Sequence, residues 1–270
     1  MIRLIATDLD GTLLNQHSEL SPRTCRAVQR VMETGARFVI SSGRMYLTTR
    51  PFAGQLDVNA PVIVFNGAMA CDWQTGTPLF KTDIPVDTAR AVCAMAEKRG
   101  VFAQYFPERG LFYQKRVAAV CDEYENRVRF RGEETVRPLS EWISQNAVKL
   151  MCLGEHEVLL KLREEMAEAF PQLRLMLSQP TYLEIVSASV DKGDALRMLA
   201  ERLGVAREEI AAFGDADNDA GMLEYAGSGY VMQNGNEQLL ARVPLHAPAN
   251  TDDGVARVLE DLLARGEIGG

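Results

Sequence analysis

The sequence is poor in several things that disulfide-stapled, metal-stapled or membrane-bound proteins depend on. Its five cysteines, Cys25, Cys71, Cys93, Cys121 and Cys152, are scattered, form no CxxC pair and are odd in number. That speaks against a disulfide framework and for reduced thiols in a cytoplasmic protein. Its three histidines, His17, His156 and His246, have no metal-ligand spacing, and its two tryptophans, Trp73 and Trp142, carry no functional signal. No apolar run approaches the ~20 residues of a membrane span. The N-terminus has no basic segment leading into a signal-like apolar region, so the protein is expected to stay where it is made. Positive charge is also short, with 29 Lys and Arg against 37 Asp and Glu and a net charge of -8. Nucleic acid and anionic membranes both demand clustered Lys and Arg and are expected not to be partners. A small anionic substrate stays compatible, because a bound cation reverses the field locally.

What is present is enough for two domains: 270 residues, 47% hydrophobic and 24% charged, which buries a core without disulfides. The chain opens on "IRLIATDLDGTLL", an apolar strand that stops on Asp8 and Asp10. One-residue spacing on an extended chain points both carboxylates to one side, where they repel and require a positive partner. "SPRTCRAVQRVMETG" then reads as a helix, with Ser21 as cap, Pro22 in the first turn and Gly35 after the last. "ARFVISSGR", "PVIVFNG", "IAAFGDADND" and "SGYVMQNG" repeat the first pattern, each an apolar strand ending on polar residues. Unbroken apolar strands between amphipathic helices predict a doubly wound parallel sheet of the α/β class, covered on both faces. Ligands of such sheets sit beyond the carboxyl ends of the strands, which aligns Asp8, Asp10, Ser42, Asn66 and Asp215 on one edge.

Residues 83–187 have a different character: helices such as "TARAVCAMAEKRG" and "EHEVLLKLREEMAEAF" among strands that partly alternate polar and apolar. They are expected to form an inserted second domain, a sheet with helices on one face. Residues 1–82 and 188–270 then make up the core domain. Tyr105, Phe106, Phe112, Tyr113 and Tyr182 fit the insert's own core better than a substrate pocket. The terminal "ARGEIGG" is expected to fray.

Phosphoryl transfer needs a nucleophile, a cation on the phosphate oxygens, donors for the remaining oxygens and a proton source. Asp8 fits a carboxylate nucleophile and Asp10 a general acid that later acts as base. Asp215 adds a third carboxylate to an oxygen-rich site of the kind magnesium prefers. Lys192 opens the helix "KGDALRMLAERL", where ammonium and helix terminus both favour an anion. Each feature also has a plainer reading: an acidic turn for "DLDGT", a loop hydroxyl for Ser42, a solvated charge for Lys192, helix capping for Asp217, Asn218 and Asp219. Only their ordered combination favours the chemical one.

That combination, "DLDGT" (8–12), "SSGR" (41–44), "NGA" (66–68), "DKGDAL" (191–196), "GDADNDAGM" (214–222) and "NTDDGVARVL" (250–259), resembles the haloacid dehalogenase superfamily of phosphatases and its Cof-type branch. The resemblance implies a Rossmann-like core with a large α/β cap inserted where residues 83–187 lie. It implies Asp8 as nucleophile and Asp10 as acid/base, and a magnesium site of Asp8, Asp10 through its carbonyl, Asp215 and Asp219, the last supporting metal waters or Lys192. Ser42, Lys192 and Asn218 would contact phosphate, Gly43 would belong to the same phosphate- or substrate-binding set, and Arg44, Asn66 and Gly67 would line the mouth beside the leaving group. Ser42 stands where threonine is usual, and Gly221 where a larger apolar residue is usual. The implied activity is a magnesium-dependent phosphatase acting on a small phosphorylated metabolite such as a sugar phosphate. A phosphomutase, or a phospho-acceptor signalling module, is the alternative. Discrimination among substrates is expected from the cap, near Glu108, Arg109, Gln179 or Thr181, and the oligomeric state stays open.

Overall fold

β1 (Leu4–Thr7) is buried throughout. It leads through a turn into α1 (Pro22–Glu33), whose first turn is capped by the Ser21 hydroxyl accepting from the Thr24 amide. Pro22 occupies the first helical position, where its missing N–H is no loss. The chain continues through β2 (Arg37–Ile40), α2 (Tyr46–Leu56), β3 (Val62–Val64), β4 (Met69–Cys71) and β5 (Pro78–Lys81). The computed structural model describes residues 1–270. They divide into two compact units: Met1–Arg44, Thr49–Phe80 and Asp191–Gly270 in the first, Met45–Thr48 and Lys81–Val190 in the second.

The second unit is an α/β sandwich built from α3 (Val86–Lys98), β6 (Phe102–Phe106), β7 (Phe112–Tyr113), α4 (Ala118–Val128), β8 (Glu133–Glu134), the single turn α5 (Leu139–Trp142), β9 (Lys149–Leu153), α6 (His156–Ala169), β10 (Leu173–Gln179) and β11 (Tyr182–Ser187). Its sheet runs β10-β11-β9-β6-β7-β8. Tyr105, Leu150, Cys152, Leu183 and Ile185 pack with Val92 of α3 and Leu159 and Leu162 of α6. The other face is covered too, because Tyr124 of α4 meets Phe106 and Tyr182 edge-on, with ring centroids 6.3 and 6.0 Å apart. Helices on one face only were expected. The difference is legible in β9, which is buried at every position although it begins with a lysine.

That lysine has a buried partner. Lys149 Nζ lies 3.0 Å from Glu184, which also accepts from the Ser178 hydroxyl at 2.9 Å. Burial works to raise the Glu184 carboxyl, but Lys149, Ser178 and Arg127 outweigh it and hold it below the usual range. Removing one partner of a buried pair strands the other charge. Lys149→Ala is therefore expected to lower stability by about 3 to 5 kcal/mol, read from urea unfolding, and Lys149→Met with Glu184→Leu to restore most of it.

Returning to the first unit, the chain adds α7 (Lys192–Leu203), β12 (Ile210–Gly214), α8 (Ala220–Tyr225), β13 (Ser228–Met232), α9 (Glu237–Arg242), β14 (Leu245–Ala247) and α10 (Gly254–Ala264). The main sheet has the order β14-β13-β12-β1-β2 and is parallel throughout. Leu4 and Ala6 face a cluster with Leu196 and Leu199 of α7 and Met222 of α8, while α1 and α10 pack together and reach β2 and β14. From β1 the chain adds β2 on one side and later β12 on the other, so the strand order switches at β1, where ligands of open α/β sheets bind.

Three details depart from the sequence reading. "PVIVFNG" is not a full member of the parallel sheet: β3 touches it by one bridge, Ser41 to Ile63, and otherwise pairs antiparallel with β4. The cause is the turn that follows, where Phe65, Asn66 and Gly67 all take positive φ, at 54°, 59° and 100°. It reverses the chain onto itself. "ARGEIGG" does not fray, because Ile268 is buried and forms a parallel bridge to Ile2, and the Gly270 amide donates to the Thr34 carbonyl at 3.1 Å. The third detail is β14, a short edge strand with two exposed positions and too little apolar character to read as one.

Candidate active site

β1 ends at Thr7. Asp8 keeps an extended backbone, and its amide donates to the Phe213 carbonyl of β12 at 3.0 Å. Its carboxylate is therefore held at the strand's end and buried. Asp10 lies in the turn beyond, before Gly11 at φ 79°, so the two aspartates do not share one extended strand. A side chain on Gly11 would collide with the Asp215 carboxylate, which explains glycine in "DLDGT". The Thr12 hydroxyl donates to Asp215 Oδ1 at 2.7 Å, a role that the sequence reading missed although Thr12 stood in the quoted motif.

For Asp8, the positive partner that the paired acids demanded is Lys192. Fully buried at the start of α7, its ammonium donates to Asp8 Oδ1 at 2.6 Å and to Asp219 Oδ1 at 2.7 Å. Asp219 Oδ2 accepts from the amides of Asp215 and Ala216 at 3.0 and 3.1 Å. Both its oxygens are thus engaged, and Asp219 orients Lys192 and the loop after β12 together. Burial works against the ammonium, but Asp219 and Asp8 more than compensate and raise its pKa.

Asp8, Asp215 and Asp219 offer carboxylate oxygens that all lie within 4.8 Å of one another. Burial pushes the Asp8 carboxyl well above the usual range, helped by Asp219, Asp215 and Asp10 and opposed by Lys192. Burial and Asp219 push Asp215 up to about 6. Three carboxylates against one ammonium leave an excess of negative charge, and hard oxygen donors so arranged fit a divalent cation. The Asp10 side chain is outside this cluster. It is 46% exposed and held on Arg44, whose own side chain is 6% exposed.

The remaining residues are tied to one another. Ser42 is buried, and its hydroxyl accepts from the Arg44 amide at 3.2 Å. A side chain on Gly43 would press on Asn66 Oδ1, which itself accepts from Asn218 Nδ2 at 2.9 Å. Gly67 abuts the backbone at Asp191 and the amide of Lys192, leaving no room for a Cβ. Phe65, a bulky residue at φ 54°, stores backbone strain of about 1 to 3 kcal/mol. It is held by the bond from its amide to the Arg44 carbonyl at 2.9 Å. "SSGR", "NGA", "DKGD" and "GDADND" thus converge.

Gly221 also finds its reason here. A Cβ on it would collide with Asp191 Oδ1, and one on Gly193 with the Gly221 backbone. Asp191 caps α7, accepting from the Gly193 amide at 2.7 Å, so glycine lets α8 pass against the cap beside Lys192. Two further supports went unnoticed in the sequence. Asn234 Nδ2 donates to the Gly11 carbonyl at 2.8 Å, and Asn250 Nδ2 donates to the Leu14 carbonyl at 2.7 Å, clamping the turn after β1. The signal was present, since "QNG" and "NTDDG" were both singled out, but asparagine on a loop gives no hint of which carbonyl it meets. In the second unit, Glu108 pairs with Lys81 at 3.3 Å, and Arg109 stacks over Tyr46 at 5.7 Å. Gln179 and Thr181 lie at the turn between β10 and β11.

A parallel sheet with three carboxylates and a buried lysine at its switch point defines an α/β protein with an acidic site that fits a divalent cation. Residues 5–259 match the haloacid dehalogenase-like hydrolases, and the chain belongs to that family. It is 30% identical over 249 residues to the HMP-PP phosphatase of Escherichia fergusonii, covering 92% of this chain and 90% of that protein. It is 28% identical over 265 residues to the 5-amino-6-(5-phospho-D-ribitylamino)uracil phosphatase YitU of Bacillus subtilis, covering 96% of each. A haloacid dehalogenase-like hydrolase from Bacteroides thetaiotaomicron superposes with a TM-score of 0.91 at 26% identity, over 97% of this chain and 100% of that one. The protein is a phosphatase.

Proposed function

We infer that the chain is a magnesium-dependent phosphatase of small phosphorylated metabolites, among them sugar phosphates, and that it works through a phosphoryl group carried on Asp8. The observation that supports this most directly is the cluster of Asp8, Asp215 and Asp219 around a single buried ammonium. Asp8 and Asp215 would hold the magnesium ion by their side chains, with the Asp10 carbonyl beside them and Asp219 behind. Bound there, the ion supplies positive charge against the carboxylates and the phosphate oxygens.

The chain's own groups account for the rest. Asp8 attacks phosphorus as the ester P–O bond breaks, and Asp10 hands its proton to the departing oxygen. Water then attacks the same phosphorus, its proton passes to Asp10, and the bond to Asp8 breaks to release inorganic phosphate. Lys192 and Ser42 hold the non-reacting oxygens, and Asn218 contacts the phosphate from the loop after β12. The -8 net charge disfavours nucleic acid and membrane partners, and five free thiols suit the reducing cytoplasm. No helix is long and apolar enough to cross a membrane.

A phosphate-release assay over sugar phosphates, nucleotides and cofactor phosphates tests this reading. With magnesium present, at least one class is expected to be hydrolysed to inorganic phosphate. Exhaustive chelation is expected to lower the rate by about a hundredfold or more, the scale of removing charge stabilisation from the transition state, and added magnesium to restore it. Undiminished hydrolysis after chelation would remove the metal from the reading.

A further inference from the structure

Asp10 has a problem that its neighbours do not. A group that transfers protons at one oxygen must be held to within a fraction of an ångström, yet its side chain is 46% exposed and lies in a turn, not on a strand. Packing does not fix it. What grips it is Arg44, whose Nε donates to Asp10 Oδ2 at 2.7 Å and whose Nη2 donates to Oδ1 at 2.6 Å. This is the two-pronged pairing that fixes a carboxylate's plane as well as its position.

Arg44 is itself fixed. Its side chain is 6% exposed, and its guanidinium lies 5.1 Å from the centre of the Phe52 ring. Its amide donates to the Ser42 hydroxyl, and its carbonyl accepts from the strained Phe65. Burying a guanidinium to hold a half-exposed carboxylate is poor value for stability, since taking a charge out of water can cost more than the pairing returns. It makes sense if the carboxylate's position is what matters. Each Asp10 oxygen has a second lone pair beyond the one facing Arg44, so the grip leaves room for the proton in transit.

We propose that Arg44 is a positioning residue for the reaction: it acts through Asp10, holding the carboxylate in the plane from which it protonates the leaving group and deprotonates water, and does not serve chiefly to bind the leaving group. This rests on Asp10 being the acid/base of the proposed function. It also links the "SSGR" segment to the acid/base, as Ser42 in the same segment links it to the phosphate.

The test compares the wild type, Arg44→Ala, Arg44→Lys, Asp10→Asn and the double variant Asp10→Asn/Arg44→Ala, on glucose 6-phosphate and on 4-nitrophenyl phosphate with magnesium. Arg44→Ala is expected to lower kcat on the sugar phosphate by about a hundredfold, the lower end of what general acid–base catalysis supplies, with KM changed by less than about threefold. With 4-nitrophenyl phosphate, whose leaving group needs no proton, it should give a burst of about one nitrophenolate per enzyme before slow turnover. Arg44→Lys, which offers a point charge and no fork, should recover about tenfold of the loss. In the Asp10→Asn background, Arg44→Ala should cost nothing further, because the residue it acts through is already disabled.

Full additivity in the double variant would overturn the proposal, as would a raised KM with unchanged kcat, which would make Arg44 a binding group. If Arg44→Ala fails to unfold cooperatively, Arg44→Lys carries the same comparison in both backgrounds. Wild-type turnover by Asp10→Asn would overturn the acid/base reading itself, an outcome separate from additivity.

Discussion

Asp8→Asn is expected to lose turnover by at least about a thousandfold, the scale of removing a group that forms a covalent intermediate, while folding normally. Asparagine fills the same space, and the backbone bond from residue 8 to the Phe213 carbonyl does not involve the side chain. Without a magnesium ion the variant should be at least as stable as the wild type. The reason lies in the burial and the like charges of Asp219, Asp215 and Asp10 that push the Asp8 carboxyl upward: they penalise the ionised form, and an amide escapes the penalty. Phosphate release and thermal unfolding, measured on the same preparation, separate the two effects. Turnover within tenfold of the wild type would place the nucleophile elsewhere. Low turnover with a lowered melting temperature would show that Asp8 serves stability and chemistry together.

Lys192→Met should have the second largest effect, and of a different kind. Methionine matches the length of the lysine stem but brings no charge, leaving Asp8 and Asp219 facing each other without the ammonium that both now contact at 2.6 and 2.7 Å. A buried charge deprived of its partner costs about 3 to 5 kcal/mol, so the metal-free variant should unfold at markedly lower denaturant. A buried donor aimed at developing charge is worth about a hundredfold to a thousandfold in kcat, and a loss on that scale is expected in a phosphate-release assay. Added magnesium should raise the melting temperature of the variant more than that of the wild type, because the cation then meets carboxylates that nothing else neutralises. An equal shift in both proteins would mean that Lys192 and the cation do not share the same carboxylates.

The parts of the site that were legible in the sequence are those fixed by short-range rules. An apolar strand that ends on acid, a serine and proline at the start of α1, and a lysine at the start of α7 each carry a local physical signature. Runs such as "LIAT" and "IAAFG", with no polar position, imply strands buried on both faces, and strands so buried imply a parallel sheet with its chemistry at the carboxyl ends. Its place at a helix start made Lys192 a candidate anion partner, and only the ordered set of motifs favoured that over a solvated charge.

What stayed illegible depends on which atoms meet across the chain. Nothing local tells that Arg44 closes on Asp10, that Asn234 and Asn250 clamp the turn after β1, or that Thr12 donates to Asp215. Each is a contact between residues far apart in sequence, and a polar side chain on a loop has many equivalent partners until the backbone is placed. The second face of the sheet in the second unit was missed because a buried lysine reads as an exposed one until Glu184 is beside it. The glycine at 221 was opaque for the same reason: its justification is the absence of a side chain where α8 crosses the cap of α7. Sequence alone determined the strand and helix periods and the residue types at their ends, because those follow from backbone geometry and from burial along one segment. Only the tertiary structure decided which carboxylate Lys192 and Arg44 each hold, because hydrogen bonds of under 3 Å select among partners by position, and position is set by how the whole chain packs.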